Sequence, residues 1–270
     1  MKDFFKTKVG ARVYRITFAV LYIVTIIVIV ALATAVDDYA EAERGYDDLR
    51  QYAPPENYVD IAVEYFPTTP EPDSNDSPSP HEDYDEDSAH PPGIKLAPDP
   101  RLAEINSDYA GWIRIDGTRI DYPLVQSNNE KYLTTTFWGT NNNAGTLFID
   151  SRNTQQFGGT FAMIHGHNSR TGAMFGTLNR FGNSGFMQQN QNITIFNRDG
   201  EILTYRIFAA FSTTIHNQLY SLFATDDDFI KSFFTSVGAP AGSSRFLVLS
   251  TCTTSESDED RTVVFAASIS

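Results

Sequence analysis

Cysteine is almost absent: Cys252 is the only one in 270 residues. No intrachain disulfide is therefore available. Positive charge is also scarce. Lys and Arg number 20 against 34 Asp and Glu, a formal net charge of -14, which argues against a nucleic-acid partner, since phosphate binding needs clustered cations. No internal repeat is visible. The length, with 41% hydrophobic residues, fits one sizeable domain plus extra segments, or two small domains.

What is present divides the chain into four. Residues 1–15 carry Lys2, Lys6, Lys8, Arg12 and Arg15 against Asp3 and read as a basic cytoplasmic tail. Residues 16–36 hold no charge, about the 20 apolar residues that one bilayer-spanning helix needs. The basic flank places the N-terminus inside and the bulk of the chain outside. The competing reading is a signal peptide cleaved after Ala35, because Ala33-Thr34-Ala35 has the small-x-small pattern. The run exceeds a signal core of about 7–15 residues, which favours an uncleaved anchor. Residues 37–99 are acidic and rich in proline and serine. They read as an extended extracellular tether that cannot repay its ordering entropy, with a short helix over 39–52. His81 and His90 lie in it and read as solvated.

Residues 100–270 are globular and strand-rich. A short helix is expected over 101–105. Two strands flank the Asp116-Gly117 turn. Further strands are expected over 132–137, 145–149 and 161–164, a short helix over 174–181, and a hairpin of 192–196 with 201–208 across Asp199-Gly200. Residues 225–237 form an amphipathic helix, capped by Thr225 and stopped by Gly238. Residues 245–252 make a buried strand and 262–267 the last one. Many short strands with few helices point to a closed or nearly closed β-barrel.

Three residues make a candidate cysteine-nucleophile site: Cys252, His167 and Arg261. A thiolate needs a neighbour that lowers its pKa or takes its proton. His165 and His167 follow an apolar strand and flank Gly166, either being a candidate base. The same pair with Cys252 also admits a zinc site, for which His216 and Asp150 are the further ligands to consider. Arg261 opens the last strand after the acidic residues 256–260. It reads either as a surface cation paired with those carboxylates or as a fixed cation for a developing oxyanion. Those acids read as a solvated run, with a calcium site as the other possibility.

Val248-Leu249-Ser250-Thr251-Cys252 resembles the Thr-Leu-x-Thr-Cys signature of sortases, with Val248 in place of the first Thr. Arg261-Thr262-Val263-Val264 resembles their arginine strand. Gly166-His167-Asn168 with Gly172-Ala173-Met174-Phe175 is similar to their histidine region. Asp108 to Gly117 with Ile120-Asp121-Tyr122-Pro123 is similar to the domain start of class B sortases, as is a helix ahead of the cysteine strand. The resemblance covers about residues 101–270. It implies an eight-stranded sortase-type β-barrel after one transmembrane helix, and a membrane-anchored cysteine transpeptidase; no cofactor is expected. It implies Cys252 as nucleophile, His167 as general acid/base and Arg261 as oxyanion and substrate stabiliser. Ser250 and Thr251 would contribute to substrate binding, and His165 would be a neighbour rather than the base. The implied partners are a sorting-signal peptide of secreted proteins and an amine acceptor, either a peptidoglycan precursor of a Gram-positive type envelope or a lysine of a pilin subunit. A non-enzymatic anchored binding module and a hydrolytic cysteine peptidase are the rival classes. Specificity is expected in residues 208–224 and the helix that follows.

Overall fold

The computed structural model describes residues 8–56, 98–252 and 259–269. Most of the expected tether, 57–97, lies outside the described residues, as does the acidic stretch 253–258. The described residues fall into two compact units divided between Gly45 and Tyr46.

The first unit is made by helix α1 (Lys8–Leu49), whose last turn belongs to the second. Among the described residues it is the one helix long and apolar enough to cross a membrane. Ile16, Ile23, Ile27 and Leu32 are all more than half exposed. Two hydroxyls of its apolar stretch are satisfied by the helix itself: Thr25 donates to the Leu21 carbonyl (2.8 Å) and Thr34 to that of Ala31 (3.0 Å). The helix expected over 39–52 is the continuation of this one, finished by a 3₁₀ turn, Arg50–Tyr52.

The second unit is a closed barrel of eight strands: β1 (Tyr109–Ile115), β2 (Asp121–Gln126), β3 (Leu147–Ile149), β4 (Phe161–His165), β5 (Asn192–Asn197), β6 (Ile202–Thr214), β7 (Phe246–Cys252) and β8 (Asp260–Ser268). Their order round the barrel is β1-β2-β3-β4-β7-β8-β6-β5. Closure leaves no edge strand to cap. The pairs β2–β3 and β4–β7 are parallel and the rest antiparallel. Three further helices are short: α2 (Arg101–Ile105), α3 (Ser184–Gln189) and α4 (Asp227–Ser236).

Parallel neighbours need long crossovers, and the one entering β7 carries α4. Its Ile230 and Phe234 join Phe161, Met163, Phe246, Val248, Val263 and Phe265 in one apolar cluster on the outside of the barrel. Phe234 stacks on Phe246 at 4.3 Å between ring centroids. Alternation along β7 thus buries Phe246 and Val248 under a helix and turns Leu247 and Leu249 the other way, which explains its unbroken apolar run.

Four local expectations need correction. Residues 132–137 are not a strand: Lys131–Leu133 is a 3₁₀ turn and only Thr135 bridges, to Asn141. Gly139, at φ +81°, folds the segment back so that the Thr136 amide meets the Thr140 carbonyl. The helix expected over 174–181 lies later, as a 3₁₀ turn Leu178–Gly182 followed by α3, because Met174 has φ +49° and bridges Asn168. The cap of α4 is Asp226, whose carboxylate accepts from the Phe229 amide (2.8 Å), while the Thr225 hydroxyl turns back to the Leu222 carbonyl. Strand β6 runs on to Thr214, so the region 208–224 is half strand and half a 3₁₀ helix, Gln218–Ala224.

Within the second unit, residues 46–56 clasp the barrel. The Tyr46 hydroxyl donates to the Gly145 carbonyl (2.6 Å), lies 2.9 Å from the Thr146 hydroxyl and accepts from the Phe137 amide (3.3 Å). Arg114 donates to Asp121 and to the carbonyls of Pro54 and Pro55. Tyr46→Phe deletes one hydroxyl and leaves buried backbone groups short of a partner. It is expected to destabilise the second unit by about 1–3 kcal/mol, read as a lower thermal midpoint.

Candidate active site

Strand β7 lies between β4 and β8, and its two registers set what meets at its C-terminal end. On one side, in parallel, Phe161 pairs with Phe246 and His165 with Ser250. The Gly166 amide then donates to the Ser250 carbonyl (3.2 Å). His167 lies two residues past His165, as Cys252 lies two past Ser250. On the other side, antiparallel, Cys252 pairs with Arg261. The backbone therefore brings His167, Cys252 and Arg261 to one rim of the barrel, from three adjacent strands.

The loop leaving β4 is held tightly. A Cβ on Gly166 would sit 2.2 Å from Leu147 Cδ2 and 2.9 Å from Phe175 Cδ2, so only glycine fits before His167. Gly145, at φ +62°, backs the imidazole; a Cβ there would approach the Tyr132 carbonyl to 2.5 Å and His167 Cδ2 to 3.0 Å. His167 Nε2 lies 2.6 Å from the Leu133 carbonyl oxygen. A carbonyl only accepts, so Nε2 carries the hydrogen and Nδ1 is the lone-pair nitrogen of the neutral ring. The ring is half-buried, as is Arg261, whose Nη1 donates to the Asp260 carbonyl (2.9 Å).

His165 is engaged elsewhere. Its Nε2 lies 2.9 Å from Asp150 Oδ2, and its ring packs on Phe148. Asp150 is fully buried and also accepts from Arg152 Nε (2.9 Å), Nη2 (2.8 Å) and backbone N (3.0 Å). Burial pushes this carboxyl up, but the donors from Arg152 and His165 outweigh it and hold Asp150 well below the usual carboxylate range. Arg152 also donates to the Tyr220 carbonyl (2.9 Å) and lies over the Phe223 ring. The zinc set considered from the sequence does not assemble: His216 is exposed beside Glu259, and among the described residues no three candidate ligands are grouped.

Ser250 and Thr251 are both buried. The Ser250 hydroxyl lies 2.9 Å from that of Tyr220. The Thr251 hydroxyl has no partner among the described residues. Its register partner Thr262 donates to Asn179, which in turn donates to Asn168 beside His167 (3.2 Å). Sequence reasoning missed Tyr220, Arg152, Asn179 and the Leu133 carbonyl. Tyr220 lay inside the region expected to govern specificity. Arg152 had a readable signal, a cation two residues after an acid at a strand end.

A family model for the sortase domain matches residues 113–269. The chain belongs to the sortase family. It is a cysteine transpeptidase, as sortases are. It is 32% identical over 170 residues to a sortase B of Listeria monocytogenes, covering 58% of this chain and 68% of that one. Among solved structures it resembles Clostridium perfringens sortase B, with a TM-score of 0.55 at 26% identity over 63% of this chain and 98% of that one. It also resembles a Staphylococcus aureus sortase B–substrate complex, with a TM-score of 0.56 at 26% identity over 62% of this chain and 82% of that one. The eight-stranded sortase barrel expected from the sequence is the fold observed.

The depressed Asp150 carboxyl makes part of this sortase's stability depend on pH. Below about pH 4, where unfolded Asp protonates, the unfolded chain binds a proton that the folded one refuses, so stability falls as pH falls. Asp150→Asn is expected to be less stable than wild type at neutral pH and to lose stability less steeply between about pH 4 and 2, as measured by denaturant titration across that range.

Proposed function

We propose that this sortase is anchored in the cell membrane by residues 16–36, with residues 1–15 cytoplasmic and 37–99 tethering the catalytic region 100–270 outside. There it cleaves a C-terminal sorting signal of secreted proteins and transfers the new carboxyl end to an amine of the cell wall. The observation that carries the reading is the convergence of His167, Cys252 and Arg261 at the end of β7.

In this mechanism the Cys252 thiolate attacks the scissile carbonyl carbon. The oxyanion that forms is stabilised by the Arg261 guanidinium, a kind of contact whose loss costs about 10²–10³ in rate. Protonated His167 gives its proton to the leaving amine as the C–N bond breaks, and a thioester remains on Cys252. An acceptor amine then attacks the thioester, its proton passes to His167, and the thiolate departs. The Leu133 carbonyl, by fixing Nε2–H, orients the ring for that exchange. Ser250 contributes to substrate binding by holding Tyr220, and Thr251 through its hydroxyl at the base of the site. The S. aureus neighbour is a sortase B–substrate complex, which supports reading this chain as one that binds a substrate.

Cys252→Ala is expected to abolish the thioester adduct that mass spectrometry detects with sorting-signal peptides; turnover retained by the variant sinks the nucleophile assignment. His167→Ala should cost about 10²–10⁴-fold, and His165→Ala much less, because the His165 ring is engaged by the Asp150 carboxylate. Equal losses would mean the wrong ring was chosen. For the anchor, the chain recovered from membranes should retain residues 16–36, and N-terminal sequencing that begins at Val36 would contradict an uncleaved anchor.

A further inference from the structure

A second constellation lies on the same rim, against the loop that follows His167. It is a cleft of about 750 Å³, walled by the β1–β2 turn, residues 168–172 and residues 176–180. Arg119, Arg170 and Arg180 line it together with Asn168, Thr177 and Asn179, and among the described residues no lining side chain is acidic. In a chain with 20 basic and 34 acidic residues, three guanidinium groups around one cleft run against the composition. The cleft is also built. Arg119 Nη1 donates to the Thr171 carbonyl (2.9 Å), pinning the β1–β2 turn to the loop. Arg180 packs over the Phe186 ring at 4.0 Å. Thr177 is more than nine-tenths buried, and its hydroxyl has no hydrogen-bond partner among the described residues. A buried hydroxyl without a partner is costly, and here it belongs to a residue that lines the cleft together with the three arginines.

We propose that this cleft binds an oxyanion, a phosphate or carboxylate, carried by the amine acceptor. The inference rests on the reading of Cys252 as the acyl carrier. Two of the lining residues connect the cleft to that chemistry. Asn168 directly follows His167. Asn179 accepts from Thr262, the neighbour of Arg261 and the register partner of Thr251. The cleft thus adjoins both proposed partners of the thiol. Neither Ser250 nor Tyr220, which meet at 2.9 Å, lines this cleft, which leaves their contact to the donor peptide. Guanidinium forks match phosphate and carboxylate oxygens, and a cationic cleft in an acidic protein concentrates anions locally. In the transfer the acceptor nitrogen attacks the thioester carbonyl, the C–N bond forms as the C–S bond breaks, and the amine's proton passes to His167. The cleft adds no step; it holds the acceptor's anionic end so that its amine reaches the thioester.

The test uses the full chain with a donor peptide that acylates Cys252. The acceptors are triglycine against triglycinamide, and O-phosphoethanolamine against ethanolamine. The KM of each acceptor is measured, with the thioester followed by mass spectrometry in the same samples. Wild type is expected to favour the charged member of at least one pair by about ten-fold or more, and the pair that discriminates tells carboxylate from phosphate. Arg170→Gln, Arg180→Gln and Thr177→Val should each shrink that preference, and Arg→Lys should restore part of it. Independently of acylation, titration with inorganic pyrophosphate should show binding that the Arg→Gln variants weaken by about ten-fold. Equal KM values for charged and neutral acceptors, with the thioester formed, overturn the proposal. So does pyrophosphate binding that ignores the arginines. If no thioester forms, the catalytic reading fails, and the pyrophosphate titration still decides whether the cleft is an anion site.

Discussion

The pairing of β7 with β4 on one side and β8 on the other is the constraint on which the rim depends. Because β4 runs parallel to β7, both strands deliver their C-terminal ends to the same level, and the residues just past them meet. Because β8 runs antiparallel, it delivers its first residues there. His167, Cys252 and Arg261, far apart in the chain, are thus brought to one rim by the backbone. The cost is a long crossover from β4 to β7, residues 166–245. The chain uses it twice, packing α4 on the outer face of the barrel and placing Tyr220 beside Ser250.

A buried charge supports this arrangement from behind. Asp150 takes two guanidinium donors, a backbone amide and an imidazole, and a buried ion left short of such partners is costly. Its donors therefore act as a clamp: Arg152 ties the end of β3 to the Tyr220 carbonyl, and His165 ties the end of β4 to β3. The two histidines flanking Gly166 then have separate duties fixed by their acceptors. His165 faces a carboxylate and His167 a backbone carbonyl. Both are held by Nε2, but only the carboxylate is ionised, so one ring belongs to a charged structural network and the other keeps a free Nδ1 at the rim.

This division explains which parts were legible in the sequence. The strand 192–196 announces itself by the alternation of Ile193 and Ile195 with polar residues, and β7 and 262–267 by apolar runs buried on both sides. The lone cysteine and the Gly-His step were readable because the first has no competitor and the second is forced by Leu147 and Phe175. Segments 132–137 and 174–181 misled for one reason. Their aromatic and β-branched residues look like regular elements, but those side chains are anchors for irregular backbone. Tyr132 hydrogen-bonds Asn106 and Asp108, and Phe175 packs where a Cβ on Gly166 would fall. The same ambiguity moved the α4 cap by one residue, since Thr225 and Asp226 both carry capping oxygens and only the backbone chooses.

Of the 34 acidic residues, 18 fall in 37–99, with only three basic ones beside them. The remainder of the chain is close to balanced, so its surface potential is set by local grouping and not by the total. Several acids in the described part of the barrel unit are paired where they stand: Asp150 by Arg152, Asp108 by Lys131, Asp121 by Arg114, Asp99 by Arg101. With those carboxylates neutralised at their own positions, the arginines of the cleft beside His167 stand out against a nearly neutral background. At an ionic strength near physiological, a Debye length of about 8 Å limits their reach to the rim itself. They are placed to select the group that arrives at the thioester, and not to draw the protein toward a distant anionic surface.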